Sequence, residues 1–163
     1  MNPDRTEILE KIASQIVNQL IRKREFSPLN ISLLGGDFGA IIFLFEYSKI
    51  NKNYLITASN LLDSVIQSLP YSKNIGSFCN GLSGFAYGLN LLEDNGHLTG
   101  VRDSLDKIDD QIYKCLIKDV TNNLTDFLHG YIGHGFYLIN RLESAHTFSS
   151  HGIHIIVDTL EKT

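Results

Sequence analysis

The residues able to do chemistry gather around three glycine motifs. The third of these, Asp126-Phe127-Leu128-His129-Gly130-Tyr131-Ile132-Gly133, places a carboxylate four residues before its first glycine. The matching slot is Ser32 in the motif Ser32-Leu33-Leu34-Gly35-Gly36-Asp37-Phe38-Gly39 and Ser77 in the motif Ser77-Phe78-Cys79-Asn80-Gly81-Leu82-Ser83-Gly84. Asp126 therefore breaks the repeat, and an aspartate before an apolar helix can serve as an acid/base group or as a helix N-cap. His129 and His134 flank the third Gly-x-x-Gly, but five residues apart on a helix they share no face. Surface or hydrogen-bonded structural roles are expected for them, not a joint metal site. His151 and His154 have the i, i+3 spacing of a metal-binding pair, without a nearby third ligand.

Cys79 fills the slot held by Leu34 and Leu128 in the sister motifs, which predicts apolar packing, and Cys115 on an amphipathic stripe reads the same way. Tyr87, Tyr131 and Tyr137 read as core or rim aromatics. Asp37 and Asp126 stand at their motifs, yet no repeat supplies the second acid that a glycoside hydrolase of α/α-toroid type would need.

The elements that must position these groups follow from the repeat. The first glycines, Gly36, Gly81 and Gly130, lie 45 and 49 residues apart, each followed three residues later by Gly39, Gly84 and Gly133. A period of that length signals one supersecondary unit used several times. The segments after the glycines, such as Ala40-Ile41-Ile42-Phe43-Leu44-Phe45 and Phe136-Tyr137-Leu138-Ile139, are apolar almost all round, as in helices buried on every side. Between them run one-sided helices: Ile8, Ile12, Ile16 and Leu20 form one stripe, with Leu9, Ala13, Val17 and Ile21 beside it. Tyr54, Ala58, Leu61, Val65 and Leu69 form a second and Val101, Leu105, Ile108, Ile112 and Cys115 a third.

The fold expected is all-α, an incomplete α/α toroid of about seven helices. Outer helices are predicted near 5–24, 52–69, 101–118 and from about 152, and inner helices near 37–50, 82–94 and 131–144. The glycine pairs open the inner helices, either to let helix pack on helix or to gather helix N-termini, each with about half a positive charge, at one end of the array.

With 163 residues the chain suffices for one domain, 1–163, with a real core. Its net charge of −4 and the absence of a long Lys/Arg cluster argue against nucleic acid as a partner. The apolar run Phe38–Phe45 is too short for a membrane span, and the start of the chain lacks a signal-peptide core. Two cysteines exclude a disulfide framework, so a cytoplasmic protein is expected.

Taken in order, the three motifs resemble the first three glycine motifs of the lanthionine synthetase C-like (LanC) family. The resemblance implies an α/α toroid of seven inner and seven outer helices, of which this chain corresponds to the N-terminal half. It implies addition of a peptide cysteine thiol to a dehydroamino acid, closing a thioether ring in ribosomal-peptide modification, with zinc activating the thiolate. The family's catalytic aspartate stands four residues before the first glycine of the third motif, the position of Asp126. Its zinc ligands and its second catalytic histidine belong to later repeats, so no metal-ligand set is expected in this chain. His151-Gly152 follows Gly130 too closely to be that histidine.

As a stand-alone chain the protein is thus expected to be a partial, inactive cyclase without stoichiometric zinc. Alternatively it is a non-catalytic module that binds a peptide or a modification enzyme. Partners implied are the peptide, the missing half of the toroid, or a second copy covering apolar inner-helix faces.

Overall fold

A computed structural model of the protein describes residues 4–69, 76–142 and 147–162. Among them are seven α-helices and no strand: α1 (Arg5–Phe26), α2 (Asp37–Tyr47), α3 (Asn53–Ser68), α4 (Leu82–Asp94), α5 (Asp106–Thr121), α6 (Tyr131–Asn140) and α7 (Thr147–Leu160). None is long and apolar enough to cross a membrane. They fall into two compact units, one carrying α1–α3 and the other carrying residues 32–35 with α4–α7.

In the first unit α2 packs against both α1 and α3. Its apolar face, Phe38, Ile41, Leu44 and Phe45, is buried together with Ala58, Leu61 and Val65 of α3. The α1 stripe is less buried than its periodicity suggests. Ala13 and Leu20 are in the core, whereas Ile8, Ile12 and Ile21 remain exposed because α1 meets its neighbours along a narrow seam. Polar bonds set that seam. The Glu10 carboxylate accepts from Tyr47 Oη at 2.7 Å, Tyr54 Oη at 2.7 Å and Asn51 Nδ2 at 3.1 Å. At the other end Lys23 Nζ reaches Asp37 at 2.7 and 2.8 Å, and Asp37 also accepts from the Asn30 backbone N–H at 2.8 Å. Asp37 is thereby a buried tie between α1 and the start of α2.

In the second unit α4 is the most deeply buried helix, with Leu82 to Ala86 enclosed without interruption. Helix α5 begins at Asp106, not near 101 as its stripe predicts. The Glu93 carboxylate takes the backbone N–H groups of Val101 (3.1 Å) and Arg102 (3.0 Å), so Val101 is drawn into a separate 3-10 turn over Arg102–Ser104. The last helix is already formed at Thr147, ahead of the 152 expected. α2 stops at Tyr47, where Ser48 Oγ turns back onto the Phe45 carbonyl at 2.6 Å. The end predicted for α6 at 144 lies outside the described residues.

Unlike α4, α6 is not buried all round: Phe136 and Ile139 stay exposed. They line an apolar groove of about 220 Å³ with Phe127, Ile132, Ile153 and Val157, bounded by α6 and α7. On its opposite face α6 is held to α5 by a buried polar cluster. Arg141, fully enclosed, donates from Nε (3.0 Å) and Nη2 (2.7 Å) to one Asp109 oxygen, and the Tyr137 hydroxyl donates to the other.

Candidate functional site

The three glycine motifs are loops that end in helices. Gly36, Gly81 and Gly130, all with extended backbones, are the N-caps of α2, α4 and α6. In each loop the residue four before the glycine closes the same small turn with its side chain. Ser32 Oγ accepts from the Gly35 N–H at 3.3 Å, Ser77 Oγ from Asn80 N–H at 3.3 Å, and Asp126 Oδ1 from His129 N–H at 2.6 Å. Asp126 is therefore not the N-cap of α6, since Gly130 fills that position. It ties a turn ahead of the helix, as short polar side chains do.

Neighbouring loops are also joined to one another. The Leu34 N–H donates to the Cys79 carbonyl at 3.3 Å and the Cys79 N–H to the Leu128 carbonyl at 2.9 Å, each from the third loop position to the third position of the next. This slot is not the apolar packing site predicted for Cys79. Leu34 is exposed, and Cys79 is half-buried with its thiol donating to Asn80 Oδ1 at 3.3 Å, because here the backbone and not the side chain makes the contact.

The second glycines explain themselves by close approach. A Cβ on Gly84 would lie 1.8 Å from the Phe78 carbonyl oxygen and 3.2 Å from Leu33 Cβ. One on Gly133 would lie 2.2 Å from the Phe127 carbonyl oxygen and 2.7 Å from Phe78 Cβ. Each glycine thus receives its own loop's backbone and the second residue of the preceding loop. The tight packing is of helix on loop, where the sequence suggested inner helix on outer helix.

The chemically competent groups sit at different depths. Asp126 and His129 are both 61% exposed, and His129 Nδ1 stands 3.1 Å from Asp126 Oδ1. The His129 backbone N–H, and after it the imidazole, hold the Asp126 carboxyl below the usual carboxylate range. His134, by contrast, is wholly buried in α6. Its Nδ1 meets Ser83 Oγ at 2.7 Å and its Nε2 meets Asp119 Oδ2 at 3.0 Å. Ser83 and Asp119 had no signature of their own in the sequence, although His134 occupies a slot filled by Ala40 and Phe85 in the sister repeats. That second departure from the repeat was the available signal.

Burial pushes His134 below the ordinary imidazole value, against the raising influence of Asp119. The unfolded chain then takes up a proton near pH 6.5 that the folded chain resists, so this contribution to stability is complete above pH 6.5 and is lost as pH falls below it. Urea unfolding at pH 7.5 and 5.5 is expected to show lower stability at 5.5, falling by at most about 1.4 kcal/mol per pH unit from this group. His134→Gln is expected to flatten that dependence.

Beside the Asp126 turn four aromatic rings meet. Phe78, Tyr87, Phe127 and Phe136 contact one another with centroids 5.2 to 5.7 Å apart. Phe127 and Phe136 carry this cluster into the α6–α7 groove. Tyr131 and Tyr137 are core residues.

No three His, Cys, Asp or Glu side chains among the described residues come together to hold a metal ion. His151 packs its ring edge-on to Tyr113, and His154 bonds the Ser150 carbonyl at 2.7 Å, so the i, i+3 pair is turned to other partners. Cys115 is half-buried, with its thiol pushed up first by burial and then by the charge of Asp119. The described residues thus do not fit a zinc centre.

No curated protein and no solved structure matches this chain. Residues 27–163, which include all three glycine loops and six of the seven helices, match the sequence model of the lanthionine synthetase C-like proteins. The chain belongs to the lanthionine synthetase C-like protein family.

Proposed function

We propose that this protein, rather than being the inactive partial cyclase its resemblance implies, acts on a peptide in lanthionine-type modification, adding a cysteine thiol to a dehydroamino acid at the face formed by its glycine loops. The observation that carries the reading is the surplus at Asp126. Two sister loops close the same turn with a serine, so the fold does not need a carboxylate there. The third loop nevertheless presents one to solvent, at the position that the resemblance of the motifs assigns to the family's catalytic aspartate. The aromatic cluster and the apolar groove beside it offer a surface on which an extended peptide can lie.

In this reading the helices belong to an α/α toroid, with α2, α4 and α6 as inner helices. Support comes from the way the loops propagate. Leu33 and Phe78 are each covered by the second glycine of the following repeat, and Phe127, in the same position of the third loop, is 41% exposed. A further glycine-opened helix seated on Phe127 would continue the pattern, whether from the same polypeptide or from a partner.

The test is a synthetic peptide with one cysteine and one dehydroalanine, followed by loss of free thiol after timed alkylation. The wild-type chain is expected to accelerate the loss, and Asp126→Ser to reduce the acceleration about a hundredfold, as removal of an acid/base group does. Because serine restores the sister turn, the stability of that variant is expected to stay within about 0.5 kcal/mol of wild type. Peptide binding without acceleration would overturn the enzymatic reading in favour of a binding module, which the apolar groove also suits. A chain that neither binds nor accelerates would overturn both.

A further inference from the structure

We propose that His134, held between Ser83 and Asp119, is a positioning residue that fixes the base of the third glycine loop and with it the place of the Asp126 carboxylate. The consequence for rate rests on the peptide-modification reading above, whereas the placing of the carboxylate is measured without it.

His134 has both ring nitrogens engaged, by two different helices. Ser83, in the first turn of α4 and within the second glycine motif, meets Nδ1 at 2.7 Å. Asp119, in the last turn of α5, meets Nε2 at 3.0 Å. A carboxylate only accepts, so Nε2 carries the proton and Nδ1 accepts from the Ser83 hydroxyl. Ring and serine are both fully enclosed, and a Cβ on Gly76 would lie 2.8 Å from His134 Cε1, so the chain closes on a third side of the ring. The imidazole is thereby held in one orientation and one tautomer.

Asp119 acts twice. Its side chain holds His134, and its carbonyl accepts from the Leu124 N–H at 2.9 Å. The Leu124 carbonyl in turn accepts from the Tyr131 N–H at 2.9 Å, and Tyr131 shares the first turn of α6 with His134. Residues 124–131, which include Asp126, are therefore closed at their base by a ring of contacts running from Asp119 to Leu124, Tyr131 and His134 and back. Gly130 belongs to the same closure, since a Cβ there would stand 2.0 Å from the Leu124 carbonyl oxygen. Through Ser83 the closed loop is also tied to the second motif.

The fold does not require this histidine. Its slot is Ala40 in the first repeat and Phe85 in the second, each in the first turn of a helix. Two departures of the third repeat are thus joined: the buried imidazole fastens the loop that carries the exposed carboxylate. A reacting carboxylate needs such a base, because misplacement by about 1 Å can cost a hundredfold in rate. Being enclosed, His134 touches no substrate and takes no proton from one.

The experiment follows the Asp126 carboxyl by carbon-13 NMR as pH is varied, in wild type, His134→Phe, Ser83→Ala, Asp119→Leu and Asp119→Asn. Thiol loss from the cysteine–dehydroalanine peptide is measured with the same proteins. The Asp126 midpoint reports the turn, because the His129 N–H is what chiefly holds that carboxyl below the usual range. His134→Phe keeps the site filled, as the second repeat does, and removes both bonds. Its midpoint is expected to rise toward the ordinary carboxylate range and its rate at saturating peptide to fall about tenfold, with KM within about twofold. Ser83→Ala, the smaller change, is expected to move both in the same direction, and it carries the comparison if the phenylalanine variant does not fold. Asp119→Leu is expected to raise the midpoint although loss of a negative charge by itself would lower it. Asp119→Asn, whose side-chain oxygen still accepts from Nε2, is expected to restore it.

Folded His134→Phe and Ser83→Ala proteins that keep the wild-type midpoint would overturn the proposal, whatever their rates. An Asp119→Asn midpoint as high as that of Asp119→Leu would also overturn it, since the hydrogen bond would then not be what holds the loop. A moved midpoint with an unmoved rate would overturn the role in the reaction. A wild-type chain no faster than the peptide alone would overturn the peptide-modification reading, and the midpoints would still decide whether His134 places Asp126.

Discussion

Asp109→Ala is expected to destabilise the protein by about 3–5 kcal/mol, a large share of the roughly 5–15 kcal/mol that holds a domain folded. The Arg141 guanidinium is fully enclosed, and Asp109, itself 3% exposed in its side chain, takes two of its donors on one oxygen. Removing the carboxylate leaves a buried charge whose next acid, Asp106, stands 3.8 Å away and is mostly in solvent. It also strips the Tyr137 hydroxyl of its acceptor. Burial, which the substitution leaves in place, holds the Tyr137 phenol above its ordinary value, so the tyrosine does not compensate by ionising. Replacing the pair together, Asp109→Leu with Arg141→Met, is expected to recover most of the loss, since an apolar pair of similar volume avoids both desolvation costs. Urea unfolding with an unchanged slope measures this directly. A loss below about 1 kcal/mol for Asp109→Ala would show that Arg141 finds water instead.

The second large effect is expected at Gly84. Any side chain there begins with a Cβ 1.8 Å from the Phe78 carbonyl oxygen and 2.9 Å from the Phe78 carbonyl carbon, atoms of backbone that cannot swing aside. Gly84→Ala must therefore push α4 off its own loop, at about 3 kcal/mol, the upper end of ordinary overpacking. The control is Gly35→Ala. Its Cβ would meet nothing closer than 3.9 Å, so that substitution is expected to stay within about 1 kcal/mol of wild type. Equal melting temperatures for the two variants would contradict the loop-on-helix contact as the reason for the second glycine.

The helices α2, α4 and α6 were legible because two independent signals coincide in them. A glycine pair marks each start, and the run that follows is apolar, so α2, α4 and α6 begin at 37, 82 and 131 where the motifs place them. The boundaries of the striped helices were less legible, since a stripe of apolar residues continues through a turn as readily as through a helix. Val101 belongs to the stripe by periodicity, yet the Glu93 carboxylate captures its N–H and separates it from α5. Burial was read too generously where helices are short of neighbours: periodicity gives the direction of a face and not what covers it, as Ile8, Ile12 and Ile139 show.

At the site, Asp126 was legible as a departure from a repeat. The turn it closes was not, because Ser32, Ser77 and Asp126 reveal a common task only when their N–H donors are seen. Pairings across long stretches of chain were beyond reach altogether. Ser83 with His134, and Asp109 with Arg141, join residues 51 and 32 positions apart with no pattern in between.

The backbone bonds between successive loops have a consequence for how such a protein can change over time. Because Leu34, Cys79 and Leu128 are linked through N–H and carbonyl groups, the joint is indifferent to the side chains it carries. Loop positions three and four can accumulate substitutions while the array keeps its alignment, whereas position one keeps a short polar side chain to close the turn and Gly84, Gly130 and Gly133 admit no Cβ. Joinery and chemistry are thus under separate selection within the same eight residues. A carboxylate and an imidazole could enter one loop without any adjustment in the other two.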